Sequence, residues 1–353
     1  MRRIAKLAYQ VARSNLTELP YPYRLSYSVT SRCQSQCIMC SIWQKPVENE
    51  LSLEEIEQVF SRYQHFSWVH LTGGELFLRD DFTEIVRIID KNSPDLYLLN
   101  FPTNGYLTDT IVATVRNILE NMSIPRLMVS VSLDGPRELH DRIRCLPGSW
   151  DRALDTYRQL RALSSRKFSV YLGYTLQDAN LDAFDTTIAA ARQELGTLSA
   201  NELHVNLAHI SGHYYANDSF RGIPEPDAAG KVLERIRQGR SHKMTDPVAF
   251  LERRYQQLAH TYQQTGTVPL TCQAAAVSCF IDPCGVVYPC STFDSPIGSL
   301  RDHDYDLGAI WRSPSKGSIR ALIRAGSCPG CWTPCEAYQT ILANLIPKGS
   351  PLL

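Results

Sequence analysis

The chain has 353 residues, 44% of them hydrophobic, with 36 Lys and Arg balanced by 36 Asp and Glu and with 11 cysteines. That length supports a large core and a second domain, and the balanced charge removes the electrostatic case for a nucleic-acid partner. Nothing reads as a transmembrane span, and many cysteines without a secretory signal point to metal ligation in a cytoplasmic protein rather than to a disulfide framework.

The first segment, Met1 to Arg13, reads as a short basic amphipathic helix without the continuous apolar core of a signal peptide. We expect it to pack on the main domain, with weak membrane-surface contact as the lesser alternative. Strand signals follow at Leu25 to Val29, Trp68 to Leu71, Leu96 to Phe101, Leu127 to Val131, Phe168 to Thr175 and Glu202 to Leu207. Helical periodicity fills the gaps. Ser52-Leu-Glu-Glu55 is a capping box that opens a helix with Leu53, Ile56, Val59 and Phe60 on one face. Asp80 to Ile89, Thr108 to Leu119, Asp151 to Leu163 and Leu181 to Glu194 repeat the same period. Successive strand–helix units predict an α/β fold of six parallel strands with the marked residues gathered at the strands' C-terminal ends. Asp227 to Ile236 and Pro247 to Thr261 read as linking helices, and Val277 to Ile281 and Val286 to Tyr288 as a hairpin around Asp282-Pro-Cys-Gly285, where Gly285 supplies positive φ. The expected division is an N-terminal helix over 1–24, a barrel over 25–225, linking helices over 226–271 and a small C-terminal module over 272–353.

The chemistry starts in Thr30-Ser-Arg-Cys-Gln-Ser-Gln-Cys-Ile-Met-Cys40, where Cys33, Cys37 and Cys40 offer three thiolates to a cubic cluster that needs four. One iron is left open for a substrate or cofactor. Thr72-Gly-Gly-Glu75 closes the second strand, Pro102-Thr-Asn-Gly105 the third and Ser132-Leu-Asp-Gly135 the fourth. Together these motifs resemble the radical S-adenosylmethionine (SAM) superfamily over residues from about 25 to 337.

The resemblance implies an open (β/α)6 partial TIM barrel, a 4Fe-4S cluster on Cys33, Cys37 and Cys40, and SAM on the open iron. Electrons from a reductant such as flavodoxin or ferredoxin would cleave SAM to a 5′-deoxyadenosyl radical, which takes hydrogen from the substrate. Gly73 and Gly74 permit close approach of the chain. The resemblance further implies that Glu75 accepts the SAM ammonium, that Ser132 touches the ribose and that Asp134 organises the site, with Thr103 and Asn104 adding contacts. His140-Asp-Arg-Ile-Arg144 resembles a family segment in which Arg144 would neutralise the SAM carboxylate. Met39 stands where an aromatic residue is common and would still offer backbone groups to adenine and apolar cover to the cluster. Leu76 replaces a usual Pro. Cys145 stands where a Gly often follows the arginine; its thiol would either return a hydrogen atom to a substrate radical, as in a redox-neutral epimerase, or be inert.

Seven cysteines crowd the last quarter: Cys272, Cys279, Cys284, Cys290, Cys328, Cys331 and Cys335. Cys272, Gly285 and Cys290 resemble the Cys-x(9-15)-Gly-x4-Cys half of a SPASM or twitch domain, and Cys328-Pro-Gly-Cys331 supplies a second pair. The full seven-cysteine SPASM order is absent, so the resemblance implies one auxiliary 4Fe-4S cluster. Cys272, Cys290, Cys328 and Cys331 are the expected ligands, with Cys335 competing for one of the last two positions and Cys279 and Cys284 as weaker alternatives. Structural zinc on two thiolate pairs, in a non-catalytic scaffold, remains open. Ser291 follows Cys290 where sulfatase-maturing relatives place an aspartate base. Asn206, His209, His213, Tyr214 and Tyr215 should project over the same face as the motifs and orient a substrate. A small molecule and a peptide both remain open as that substrate. Only about two dozen residues precede the first strand, short of a recognition domain, so a peptide would call for a separate recognition protein.

Overall fold

The computed structural model describes residues 2–239 and 247–346. After helix α1 (Arg2–Leu16), strand–helix units succeed one another: β1 (Arg24–Ser28) and α2 (Leu53–Arg62), β2 (Trp68–Thr72) and α3 (Phe82–Asn92), β3 (Leu98–Thr103) and α4 (Thr108–Asn121). Next come β4 (Arg126–Ser132) with α5 (Arg137–Arg144) and α6 (Ser149–Arg161), β5 (Phe168–Leu176) with α7 (Phe184–Leu195), and β6 (Leu203–Leu207). A single turn, α8 (Gly212–Tyr215), then α9 (Pro226–Gln238) and α10 (Pro247–Thr265), lead to β7 (Ser278–Ile281), β8 (Val286–Tyr288) and β9 (Gly298–Ser299). The last described elements are α11 (Leu307–Trp311), α12 (Pro314–Arg324) and α13 (Pro334–Leu342).

The strands form one sheet in the order β6-β5-β4-β3-β2-β1-β7-β8-β9. Strands β1 to β6 run parallel, and the fold is α/β, a six-stranded partial barrel with a C-terminal module that carries antiparallel strands. Alternation along β3 and β4 shows why the barrel has two different faces. Leu99, Phe101, Leu127, Val129 and Val131 are buried in the main core with residues of the surrounding helices, while Asn100, Pro102, Met128, Ser130 and Ser132 line the inside.

Three features differ from the sequence reading. First, Val277 to Ile281 does more than make a hairpin: β7 pairs parallel with β1, so the C-terminal module continues the barrel sheet. The physical reason is the otherwise open edge of β1, whose five residues are all buried. Second, the polar segment around His140 is a helix, α5, ended by Cys145 in a left-handed conformation at φ 48°. Third, the structure adds α12 and α13; both carry Pro in the first turn, a residue suited to a helix start.

Helix α1 lies on the main domain. Arg3 donates to the carbonyls of Pro94 and Ser123, and Asn15 donates to the carbonyl of Leu342 at 2.7 Å. The Ser52–Glu55 capping box forms as read, and the Glu55 carboxylate also accepts from Arg301 Nε at 2.6 Å and Tyr305 OH at 2.8 Å. It therefore ties α2 to the C-terminal module. Among the described residues no helix is long and apolar enough to cross a membrane.

Candidate active site

The cysteine loop leaves the C-terminal end of β1 and is laced to the turn after β2. Gly74 N–H donates to Thr30 O and Glu75 N–H to Arg32 O, each at 2.8 Å. That lacing explains both glycines: a Cβ on Gly73 would lie 2.4 Å from Thr30 O, and one on Gly74 2.0 Å from Arg32 O. Cys37 is buried and Cys33 and Cys40 are half-buried, and all three line one cavity of about 260 Å³ inside the barrel mouth. Burial pushes the Cys33 and Cys40 thiols up to about 12. Such thiols keep their protons until a metal replaces them, and among the described residues no three His, Cys, Asp or Glu side chains already stand as a ligand set. Three thiols on one short loop facing a cavity fit a cluster with one open iron.

Glu75 is 1% exposed and anchors the next layer. Its Oε1 accepts from Thr103 Oγ1 at 2.8 Å and its Oε2 from the Asn104 N–H at 2.7 Å. Thr103 and Asn104 thus position Glu75, and both also line the cavity. Burial raises the Glu75 carboxyl to about 7 against the pull of those hydrogen bonds and of Arg144. A carboxylate has about four acceptor sites, so room remains for an incoming ammonium.

Asp134 and Arg144 form a buried pair. Arg144 Nε and Nη2 lie 2.7 and 2.5 Å from Asp134 Oδ2, while Asp134 Oδ1 accepts the Thr175 N–H at 2.7 Å. Arg144 Nη1 stands 3.8 Å from Cys37 Sγ. The guanidinium expected to meet a SAM carboxylate is held by Asp134 beside the cysteine loop, and it lines the cavity. Ser132 and Met39 also line it, although the Met39 carbonyl is taken by Asn217 Nδ2 at 2.8 Å. Cys145 does not line the cavity: it is exposed, and its Sγ bonds to the Arg142 carbonyl at 3.4 Å. Its positive φ is the conformation that a Gly at this position would adopt without strain.

Asn206 in β6 and His209, Tyr214 and Tyr215 beyond it line the cavity. His213 turns away; its Nε2 bonds the Cys290 carbonyl at 3.1 Å and its ring stacks on Tyr288 at 4.3 Å. Reasoning from motifs missed the inner wall, where Arg24, Trp68, His70 and Asn100 occupy β1 to β3. Their only signal is strand alternation.

In the C-terminal module, Thr292 Oγ1 is 3.3 Å from both Cys290 Sγ and Cys331 Sγ. The Phe293 N–H donates to Cys290 Sγ and the Ala274 N–H to Cys272 Sγ. Burial raises the Cys272, Cys290 and Cys331 thiols, and the charge of Cys331 adds to the rise at each of the other two. Cys328 lies beside Cys331, half-buried. Cys335, in the first turn of α13, lines the barrel cavity with Cys33, Cys37 and Cys40. Cys279 and Cys284 stay apart: burial dominates the rise in both thiols, and the charges that act on them come from Glu336 and Arg24 and from Asp282 and Arg301 rather than from other cysteines.

An open parallel barrel with a three-cysteine loop and a Gly-Gly-Glu turn at its mouth defines the class of radical SAM enzymes. Residues 27–191 match the radical SAM superfamily and residues 272–335 the iron–sulfur cluster-binding SPASM domain. The chain belongs to that superfamily as a member with a C-terminal SPASM domain, and it works with SAM and a 4Fe-4S cluster. It is similar to the mycofactocin maturase MftC of Mycobacterium tuberculosis, 26% identical over 329 residues, covering 89% of this chain and 76% of that protein. Its fold is similar to SuiB of Streptococcus suis bound to the precursor peptide SuiA, with a TM-score of 0.60, 14% identity, and coverage of 89% of this chain and 69% of that one. It is likewise similar to anSMEcpe with bound AdoMet and the Kp18Cys peptide, with a TM-score of 0.57, 18% identity, and coverage of 86% and 84%.

Proposed function

We propose that this enzyme oxidises a peptide by abstracting a hydrogen atom from it, with one auxiliary cluster in the C-terminal module. The observation that carries the reading is that Cys335 lines the same cavity as Cys33, Cys37 and Cys40, so the C-terminal sulfur group abuts the space beneath the barrel mouth. A maturase relative and the peptide-bound neighbours favour a peptide over a small molecule.

In this reading Cys33, Cys37 and Cys40 hold the SAM-binding cluster, Glu75 accepts the SAM ammonium, and Arg144, fixed by Asp134, faces its carboxylate. Ser132 and Met39 border the nucleoside. Cys272, Cys290, Cys328 and Cys331 hold the auxiliary cluster, and Cys335 remains the thiol on the cavity side. When bound, the two clusters and SAM supply a 5′-deoxyadenosyl radical and an acceptor for the electron that oxidation of the substrate radical releases. The protein's own part is to aim the substrate and exclude water. Cys145, exposed outside the cavity, is not favoured as the hydrogen donor of the epimerase alternative.

The test is anaerobic turnover of reconstituted enzyme with SAM, reductant and a library of short peptides, read by mass spectrometry. We expect a peptide product lighter by about two hydrogens and about four irons per cluster. Cys272→Ala and Cys290→Ala should lose one cluster and most of that product while still cleaving SAM. Oxidised product at the parent yield after loss of that cluster would sink the acceptor role.

A further inference from the structure

We infer that the inner end of the barrel cavity is a built site for a carboxylate on the substrate, with Arg24 as its counter-ion and His70 as a second donor. The inference rests on the reading of this cavity as the substrate's place. Arg24 opens β1 and is 2% exposed. Among the described residues its guanidinium makes one hydrogen bond, from Nη1 to Ser26 Oγ at 3.2 Å, and Nε has no partner. Glu336 Oε1 forms a long buried ion pair with Nη1 at 3.9 Å without reaching hydrogen-bond distance, and the other Glu336 oxygen accepts from Ser278 Oγ and Gln339 Nε2, so Glu336 leaves the Nε edge of the guanidinium open. Arg24 Cζ sits 4.7 Å from the Trp68 ring centroid, which holds the guanidinium in place. A guanidinium has five N–H donors; here Nε is buried without a partner, and that unmade hydrogen bond costs free energy that a bound anion recovers.

Donor logic fixes His70. The Trp68 indole N–H can only donate, and it donates to Asn100 Oδ1 at 2.7 Å. The Asn100 amide nitrogen is thereby turned toward His70 Nδ1, 2.7 Å away, which must accept. The imidazole proton therefore sits on Nε2, and the ring, which lines the cavity, also feels the Asn100 backbone carbonyl. Burial and the charge of Arg24 lower His70 to about 3, so the ring stays neutral and keeps that tautomer. Arg24 pairs in register with Trp68, and Ser28 with Thr72 at the mouth. Four residues of strand separate the two levels, roughly 13 Å. A substrate with its carboxylate on Arg24 spans that depth, about four extended residues, and reaches the level of the Gly-Gly-Glu turn.

The test needs no turnover. Reconstituted, SAM-bound enzyme labelled with 15N-arginine is titrated with propionate and with propionamide, its neutral isostere, while the Arg24 Nε–H resonance is followed. Propionate should give a saturable shift and propionamide none. Arg24→Gln should lower propionate affinity at least tenfold in ligand-observed saturation transfer; if that variant does not fold, the wild-type pair of probes decides alone. No response to propionate, or an equal response to propionamide, overturns the site. A tetrapeptide with a free C-terminus and its C-terminal amide separate the sources. Tighter binding of the acid than of propionate, lost on amidation, assigns the carboxylate to a peptide end; propionate binding without the tetrapeptide acid assigns it to a small acid. Failure here leaves SAM cleavage untouched, so it is distinguishable from failure of the proposed function.

Discussion

Replacing Arg144 with Gln tests the organisation of the barrel mouth, because it removes the charge paired with the fully buried Asp134. Asp134 would retain the Thr175 N–H as a hydrogen-bond donor and lose both short contacts to the guanidinium. Breaking a buried pair from one side costs about 3–5 kcal/mol, since an uncompensated charge stays behind. The double variant Arg144→Gln with Asp134→Asn removes both charges and should recover most of that loss, leaving about 1–2 kcal/mol for the lost hydrogen bonds. Urea unfolding of the single and double variants, each checked for cooperativity, gives the coupling energy. The single variant should also bind SAM more weakly than the parent, and the double variant should not regain that binding. Additive losses, or a single-variant cost below about 1 kcal/mol, would refute the claim that Arg144 and Asp134 act as one buried unit.

Glu75, raised by burial to about 7 against an unfolded value near 4.5, favours its neutral form, so its stability contribution falls as pH rises through that window. A cationic ligand needs the ionised form, and SAM affinity by equilibrium dialysis should climb as pH rises through about 7, a step absent in Glu75→Gln. Glu55 has the opposite sign: the Arg301 hydrogen bond lowers it to about 2, and its contribution is full above about 4.5 and lost as pH falls toward 2. Arg301→Ala should cost about 1–2 kcal/mol near neutrality and less as pH falls toward 2, as read by urea titration. Gly74→Ala should fail to yield a cleaving enzyme, because its Cβ would sit 2.0 Å from the Arg32 carbonyl oxygen; normal 5′-deoxyadenosine formation would contradict that packing. Cys145→Gly should keep parent activity and gain up to about 1 kcal/mol by relieving the positive φ.

What was legible in the sequence was what lies close together along the chain. Cys33, Cys37 and Cys40 share one loop, and the Gly-Gly-Glu turn, the capping box at Ser52 and the six strands all announce themselves within a few residues. Partnerships between strand ends were not legible. Nothing local in Thr103 or Asn104 says that both donate to Glu75, or that Arg144 is committed to Asp134. The pairing of β7 with β1 joins residues some 250 positions apart and depends on an edge that exists only after the barrel forms. Arg24, His70 and Asn100 escaped notice because an inward polar residue in a strand looks like ordinary alternation. Cys335 looks in the sequence like one more candidate ligand, and only the placement of α13 shows that it also lines the cavity.

In this reading the three-cysteine loop and the cavity it lines cleave SAM to make a radical. Anaerobic incubation of the reconstituted enzyme with SAM and dithionite, followed by chromatography for 5′-deoxyadenosine, tests it most directly. The parent should form 5′-deoxyadenosine, while Cys33→Ala/Cys37→Ala/Cys40→Ala should lose about four irons and form none. The same rate of 5′-deoxyadenosine formation in that triple variant would contradict the account.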